Sequence, residues 1–142
     1  MYSQSHLIVN LSLFCKNKAG YYGGGVFAHS QVLINISWSV FQGNNANSGG
    51  AVMAHDRSFA NIFGTEFIRN RAGYIGGAII WLNTDTLNVS RCNFTGNNAS
   101  NGGAMFVEYV ATLNCNRNLY RENRGSLGVL HVSHCSSAFF LC

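Results

Sequence analysis

Residues able to do chemistry are few in this chain of 142, and their spacing keeps them apart. The carboxylates are Asp56, Glu66, Asp85, Glu108 and Glu122. Cleaving a polysaccharide needs carboxylates in a cluster, to hold calcium or to act as an acid–base pair. Asp56 and Asp85 come nearest to such a pair, but solvated loop carboxylates are the simpler reading. His29 and His55 occupy equivalent positions of a repeat developed below, where stacking would let them grip a metal or respond to pH. A partly exposed polar pair at a strand end is the plainer expectation, so they are kept as binding candidates and no metal is assigned. The run HVSHC (residues 131–135) has the composition of a zinc cluster, yet on a strand His131 and His134 face opposite sides. The cysteines, Cys15, Cys92, Cys115, Cys135 and Cys142, are odd in number and lack CxxC spacing, so buried free thiols are expected. The last three could form one bridge, with its pairing left open. A glycine-rich phosphate loop, a nucleophile elbow and an HxxxH pair are all missing. No cofactor and no catalytic residue are therefore assigned, and the chain is read as a non-enzyme.

Binding has more candidates. Trp38, Trp81 and Tyr109 are the side chains to inspect for carbohydrate or protein contact, although an aromatic residue more often packs a core. Asn10, Asn35, Asn88, Asn93 and Asn98 each begin an N-x-S/T triplet, and would be glycosylation sites in a secreted eukaryotic chain. The net charge of +4 comes from nine basic and five acidic residues scattered without a run. Such scatter argues against a nucleic-acid surface. No stretch approaches the roughly 20 apolar residues that cross a bilayer, so no membrane insertion is expected. Charged residues make up only 10% of the chain, so asparagine, serine, threonine and glycine must supply most of the polar exterior.

The elements that must position these residues come from a repeat. FTGNNASNGGAM (residues 94–105) recurs as FQGNNANSGGAV from Phe41, FIRNRAGYIGGAI from Phe67 and FCKNKAGYYGGGV from Phe14, with a weaker copy, YRENRGSLGVL, from Tyr120. Gly23, Gly49, Gly76 and Gly102 follow one another at steps of 26, 27 and 26 residues, and each lies 18 residues before the next repeat aromatic. That constancy marks a structural unit stacked on copies of itself. In this frame His29 and His55 share a column, with Leu82 and then Glu108 following, whereas no two carboxylates share one.

Three columns carry the fold. Asn17, Asn44, Asn70, Asn97 and Asn123 read as an asparagine ladder, at a turn where asparagine tolerates left-handed backbone and stacked amides can bond from coil to coil. Asn35, Asn61, Asn88 and Asn114 sit between apolar neighbours, the alternation of a strand with asparagine on the opposite face. Phe14, Phe41, Phe67, Phe94 and Tyr120 should stack in the core. The glycine pairs permit a sharp turn and a close approach of coils. The fold class is all-β, a single-stranded parallel β-helix of up to five coils of about 26 residues. Residues 1–142 are expected to form one β-helix repeat segment of a longer solenoid, with neighbouring coils as its structural partners.

FxxN followed closely by GGA and an aliphatic residue resembles the repeat of the chlamydial polymorphic outer-membrane proteins and related surface proteins. The resemblance implies a right-handed β-helix in an extracellular or cell-surface passenger that works in adhesion or binding. A host-cell or matrix protein, or a carbohydrate, is the partner it implies. Part of a carbohydrate-active enzyme, a polysaccharide lyase or hydrolase, is the alternative expectation, and a structural spacer the third.

Overall fold

The computed structural model describes residues 4–141. Among them there is no helix, and the strands pair in parallel with their counterparts one coil along, forming sheets of nine, five and four strands. The strand Val32–Ser37 shows why: Val32, Ile34 and Ile36 are buried while Leu33, Asn35 and Ser37 are half-buried on the other face. It pairs with Phe59–Phe63, placing Asn35 beside Asn61 and Ile36 beside Ile62. A one-residue slip would turn the whole aliphatic column outward, so burial fixes the register. The five-stranded sheet holds the aromatic column in register from Phe14 through Phe41, Phe67 and Phe94 to Tyr120. Successive rings stack with centroids 4.6, 5.2, 4.9 and 5.0 Å apart. The expected all-β parallel β-helix is what the chain forms, in about five coils.

The largest sheet has two stations per coil. In the early coils they are separate strands, Val26–His29 and Val32–Ser37, then Val52–His55 and Phe59–Phe63. Later they merge into the strands Ile79–Ser90 and Met105–Asn116. Corners between strands, including those that lead from one sheet to the next, are built from left-handed residues that also stack. Leu11, Trp38, Gly64, Arg91 and Arg117 form one such column, with φ of 48, 49, 58, 51 and 53°. A non-glycine residue there costs on the order of 1–2 kcal/mol. The offset is visible at the same atoms, because each corner N–H donates to a carbonyl of the next coil, as Trp38 does to Phe63 at 3.1 Å and Arg91 to Asn116 at 3.0 Å.

The asparagine ladder is saturated at its centre. Asn70 Nδ2 donates both to Asn97 Oδ1 and to the Phe41 carbonyl, at 3.0 and 2.9 Å. Its Oδ1 accepts from the backbone N–H and the Nδ2 of Asn44, both at 3.0 Å. Asn44 and Asn97 repeat the pattern, and all three side chains are fully buried. The backbone explanation is corrected: the left-handed residue is the one before each ladder asparagine, Lys16, Gly43, Arg69, Gly96 and Glu122. Asparagine is there for its amide. The two glycines of a pair divide their work too. Gly49, Gly76 and Gly102 carry φ of 67, 60 and 62°, while Gly50 and Gly77 lie so close to the carbonyl oxygens of Gly77 and Gly103 that a Cβ would collide.

Candidate binding site

Alternation along Val26–His29 and Val52–His55 sends Val52 and Ala54 into the coil and Met53 and His55 outward. Outward residues stack in their own columns: Phe27, Met53, Ile80, Phe106 and His131 in one, His29, His55, Leu82, Glu108 and Ser133 in the next. Just before them the chain turns at the glycine corner, and the preceding column of Tyr22, Ser48, Ile75 and Asn101 leans over the first. Met53, Ile80 and Phe106 are consequently buried although they point away from the core, forming a second apolar cluster flanked by Ile75 and Leu82. The result is a valley on the outside of the solenoid, with a cavity of about 480 Å³ at its N-terminal end.

Aromatic side chains line that end. Tyr22 and Phe27 are about half exposed, with ring centroids 5.5 Å apart. Phe27 is followed by the imidazole of His29 at 6.3 Å, and His29 stacks on His55 at 5.4 Å within 11° of parallel. The shared column expected for the two histidines is thus the one they occupy. His29 Nδ1 lies 2.7 Å from Ser30 Oγ, which also reaches Asp56 Oδ2 at 3.3 Å, and His55 Nε2 lies 3.2 Å from Asn83 Nδ2. No lysine or arginine lines this cavity.

At the other end of the same face, Asn101 Nδ2 lies 3.3 Å from His131 Nδ1 and His131 Nε2 lies 3.1 Å from Ser133 Oγ, which donates to Glu108 Oε1 at 3.1 Å. Glu108 also lies 3.5 Å from His134, whose ring stacks on Tyr109 at 4.5 Å. Ser133 thus directs its hydroxyl hydrogen to Glu108 and not to His131. A general base needs the opposite polarity, accepting from the serine hydroxyl. His131 itself stacks on Phe106, with centroids 4.2 Å apart, and so closes the valley.

The remaining sequence candidates scatter. Trp81 is fully buried; its column neighbours Ala54 and Val107 leave room for an indole inside the coil, so it is a core residue and no contact platform. Trp38 is exposed but sits at a different corner, edge-on to Phe63 at 5.0 Å. Tyr109 is half exposed on the valley's own sheet, two coils beyond His55. Asp56 and Asp85 stay two positions apart: Arg57 donates to the carbonyl of Asn83, and Asp85 to that of Ser58. Among the described residues, no group of three or more histidine, cysteine, aspartate or glutamate side chains could hold a metal ion.

Cys92 and Cys115 are buried free thiols, and desolvation pushes their pKa up to about 11 and about 12, which leaves them poor nucleophiles at neutral pH. Cys15 departs from expectation, being exposed on the outer face of the first coil, and Cys135 is a half-buried free thiol; Cys142 lies outside the described residues. Of the N-x-S/T asparagines, Asn10, Asn93 and Asn98 are exposed. Asn35 and Asn88 instead belong to a second, outward amide ladder, in which Asn61 donates to Asn35 at 3.2 Å and Asn88 to Asn61 at 2.8 Å.

Residue types alone pointed to tryptophan and missed Tyr22 and Phe27. The signal was available in the alternation of VFAH, which turns Phe27 outward between Val26 and Ala28, and in the tyrosine pair ahead of the glycine corner. Comparison with protein-family models, curated proteins and solved structures finds no match.

Proposed function

We propose that this chain is an extracellular or cell-surface binding module whose outer valley takes a carbohydrate. The observation that carries the reading is the row of Tyr22, Phe27, His29 and His55 beside a cavity of about 480 Å³. That size falls in the range of small-ligand pockets, roughly 300–1,000 Å³. Half-exposed aromatic faces suit the apolar faces of sugar rings, and imidazole and hydroxyl groups beside them suit sugar hydroxyls. The lack of a lysine or arginine in the lining disfavours an anionic ligand. Binding is preferred to a lyase or hydrolase reading because Asp56 and Asp85 are offset and Ser133 gives its proton to Glu108 instead of to a histidine. The FxxN and GGA pattern supports a surface repeat like that of the chlamydial polymorphic outer-membrane proteins, right-handed as in that family.

The test is a titration with neutral and acidic oligosaccharides, for the native chain and for Tyr22→Ala and Phe27→Ala. Each variant should bind a neutral oligosaccharide about tenfold more weakly, as expected for loss of one stacked ring. Unchanged binding by both variants, or cleavage of any oligosaccharide in the set, would overturn the proposal.

A further inference from the structure

We infer that the outer face of the four-stranded sheet, with the corner that leads into it, is a second binding surface, for a linear acidic polysaccharide that carries one carboxylate per disaccharide. The inference is independent of the valley and uses none of its aromatic or histidine side chains. Six of the nine basic residues, scattered along the sequence, are gathered here by the stacking of coils: Lys16, Lys18, Arg69, Arg71, Arg121 and Arg124. All six are exposed, and among the described residues none of them forms an ion pair. Glu66 on the adjoining five-stranded sheet and Glu122 at the corner are the carboxylates of this side, so positive charge prevails. The other three, Asp56, Asp85 and Glu108, lie within or between the stations of the largest sheet.

The charges alternate from coil to coil. KNKAGY (residues 16–21) and RNRAGY (residues 69–74) lie two coils apart, and the coils after them carry GNNANS (43–48) and GNNASN (96–101). The corner column therefore reads Lys16, Gly43, Arg69, Gly96, Glu122, and the column that opens the sheet reads Lys18, Asn45, Arg71, Asn98, Arg124. Tyr21 and Tyr74, 74% and 65% exposed, complete the two basic coils. A Cβ on Gly43 would sit 3.6 Å from Lys16 Cγ, and one on Gly96 3.2 Å from Arg69 Cγ, so each basic stem extends over the glycine of the next coil. Above Gly96 lies a hollow of about 510 Å³, walled by Arg69, Asn98, Glu122 and Arg124. Gly43 and Gly96 show that glycine serves this left-handed corner, so the turn itself does not require Lys16 or Arg69.

The spacing selects the partner. Each coil advances about 4.8 Å, so equivalent charges recur about every 9.6 Å, close to the length of an extended disaccharide. A polysaccharide in which acidic and neutral sugars alternate sets each carboxylate against a basic coil, where lysine or arginine can pair with it. Each neutral sugar then lies over a glycine–asparagine coil, whose amides suit its hydroxyls. The exposed rings of Tyr21 and Tyr74 offer their faces to sugar rings. A nucleic acid fits less well, because phosphates follow one another at about 3.4 Å along a duplex strand and would fall over the neutral coils too. A polymer charged on every sugar meets the same mismatch.

Titration calorimetry tests this with three probes matched in number of charges. They are a hyaluronan oligosaccharide, which alternates glucuronate with N-acetylglucosamine, an oligogalacturonate charged on every sugar, and an oligothymidylate. The native chain should bind hyaluronan most tightly, and less tightly as salt rises. Arg69→Gly with Arg71→Asn gives the third coil the residues that the second and fourth already hold, so far-UV circular dichroism should stay native. That double variant should weaken hyaluronan binding at least tenfold, and Tyr74→Ala about tenfold. Binding of neutral oligosaccharides should be unchanged in both, which separates this surface from the valley. No binding of hyaluronan, equal binding by native and variant chains, or loss of neutral binding alongside acidic would overturn the inference. Binding of oligogalacturonate or oligothymidylate as tight as that of hyaluronan would overturn it as well.

Discussion

Two kinds of buried polar residue share this core, and they differ in sign. The amides of Asn44, Asn70 and Asn97 have every donor and acceptor engaged, so their burial costs little and fixes the register of successive coils. Thr84 Oγ1 and Trp81 Nε1 are buried without a partner. An unsatisfied buried group costs about 1–3 kcal/mol. Thr84 pairs in register with Val110 on the next coil, so the site accepts a β-branched side chain without a hydroxyl. Thr84→Val should therefore stabilise the fold by about 1 kcal/mol, read as a higher urea midpoint at unchanged slope. A lower midpoint would show that the hydroxyl has a partner after all. The asparagine column was legible because five matches at fixed register are independent of neighbours. Trp81 was not legible by type, since the run IIWLN has no alternation to say which side faces in; the alanines one and two coils earlier in its column are what mark the position as internal.

At the scale of the element, the corner decides more than the strand. Most strands here are short and gain their stability from the coils on either side, while each corner must hold a left-handed residue and keep its N–H bonded. The glycine corner adds close packing to that requirement. A glycine pair was readable as a turn with two coils close together, but its order was not: the first residue supplies the positive φ and the second the close approach. Gly77→Ala would drive a Cβ into the Gly103 carbonyl and the backbone of Asn98. Overpacking of this kind typically costs about 1–3 kcal/mol, and here the obstacle is backbone, which cannot rotate away. Gly73→Ala is the control, since the nearest atoms to its added methyl are 3.6 Å away and its φ is ordinary. Urea titrations should show Gly77→Ala destabilised by about 3 kcal/mol or unfolded and Gly73→Ala within about 0.5 kcal/mol of native. Equal effects would mean that the glycine column is conformational only. The same corner also tilts Tyr22, Ser48 and Ile75 over the outer sheet face, so the valley depends on it. That dependence is why the valley was hidden from the sequence: Met53, Ile80 and Phe106 look like core residues by type, and only the corner makes them an outer floor.

For the whole molecule, stability is a sum along one axis, because each coil pairs only with the coils before and after it. Such a stack should tolerate loss of an internal coil provided that the remaining columns stay in phase. Arg71 pairs in register with Asn98, so removing residues 71–97 joins Asn70 directly to a residue of the same column. The ladder then runs through Asn17, Asn44, Asn70 and Asn123, the ring stack through Phe14, Phe41, Phe67 and Tyr120, and Met53 comes to lie beside Phe106. The shortened chain should fold with a β circular-dichroism spectrum and a cooperative urea transition whose slope falls by about one-fifth, in proportion to the surface that unfolding exposes. Removing residues 71–83 alone takes out fewer residues but half a coil. Thr84 would then enter the column of Arg71, inward residues of every later coil would lose their counterparts, and the ladder would end at Asn70. That variant should show no cooperative transition, despite being the smaller deletion. If the half-coil deletion folds as well as the full one, column phase is not what holds this solenoid together.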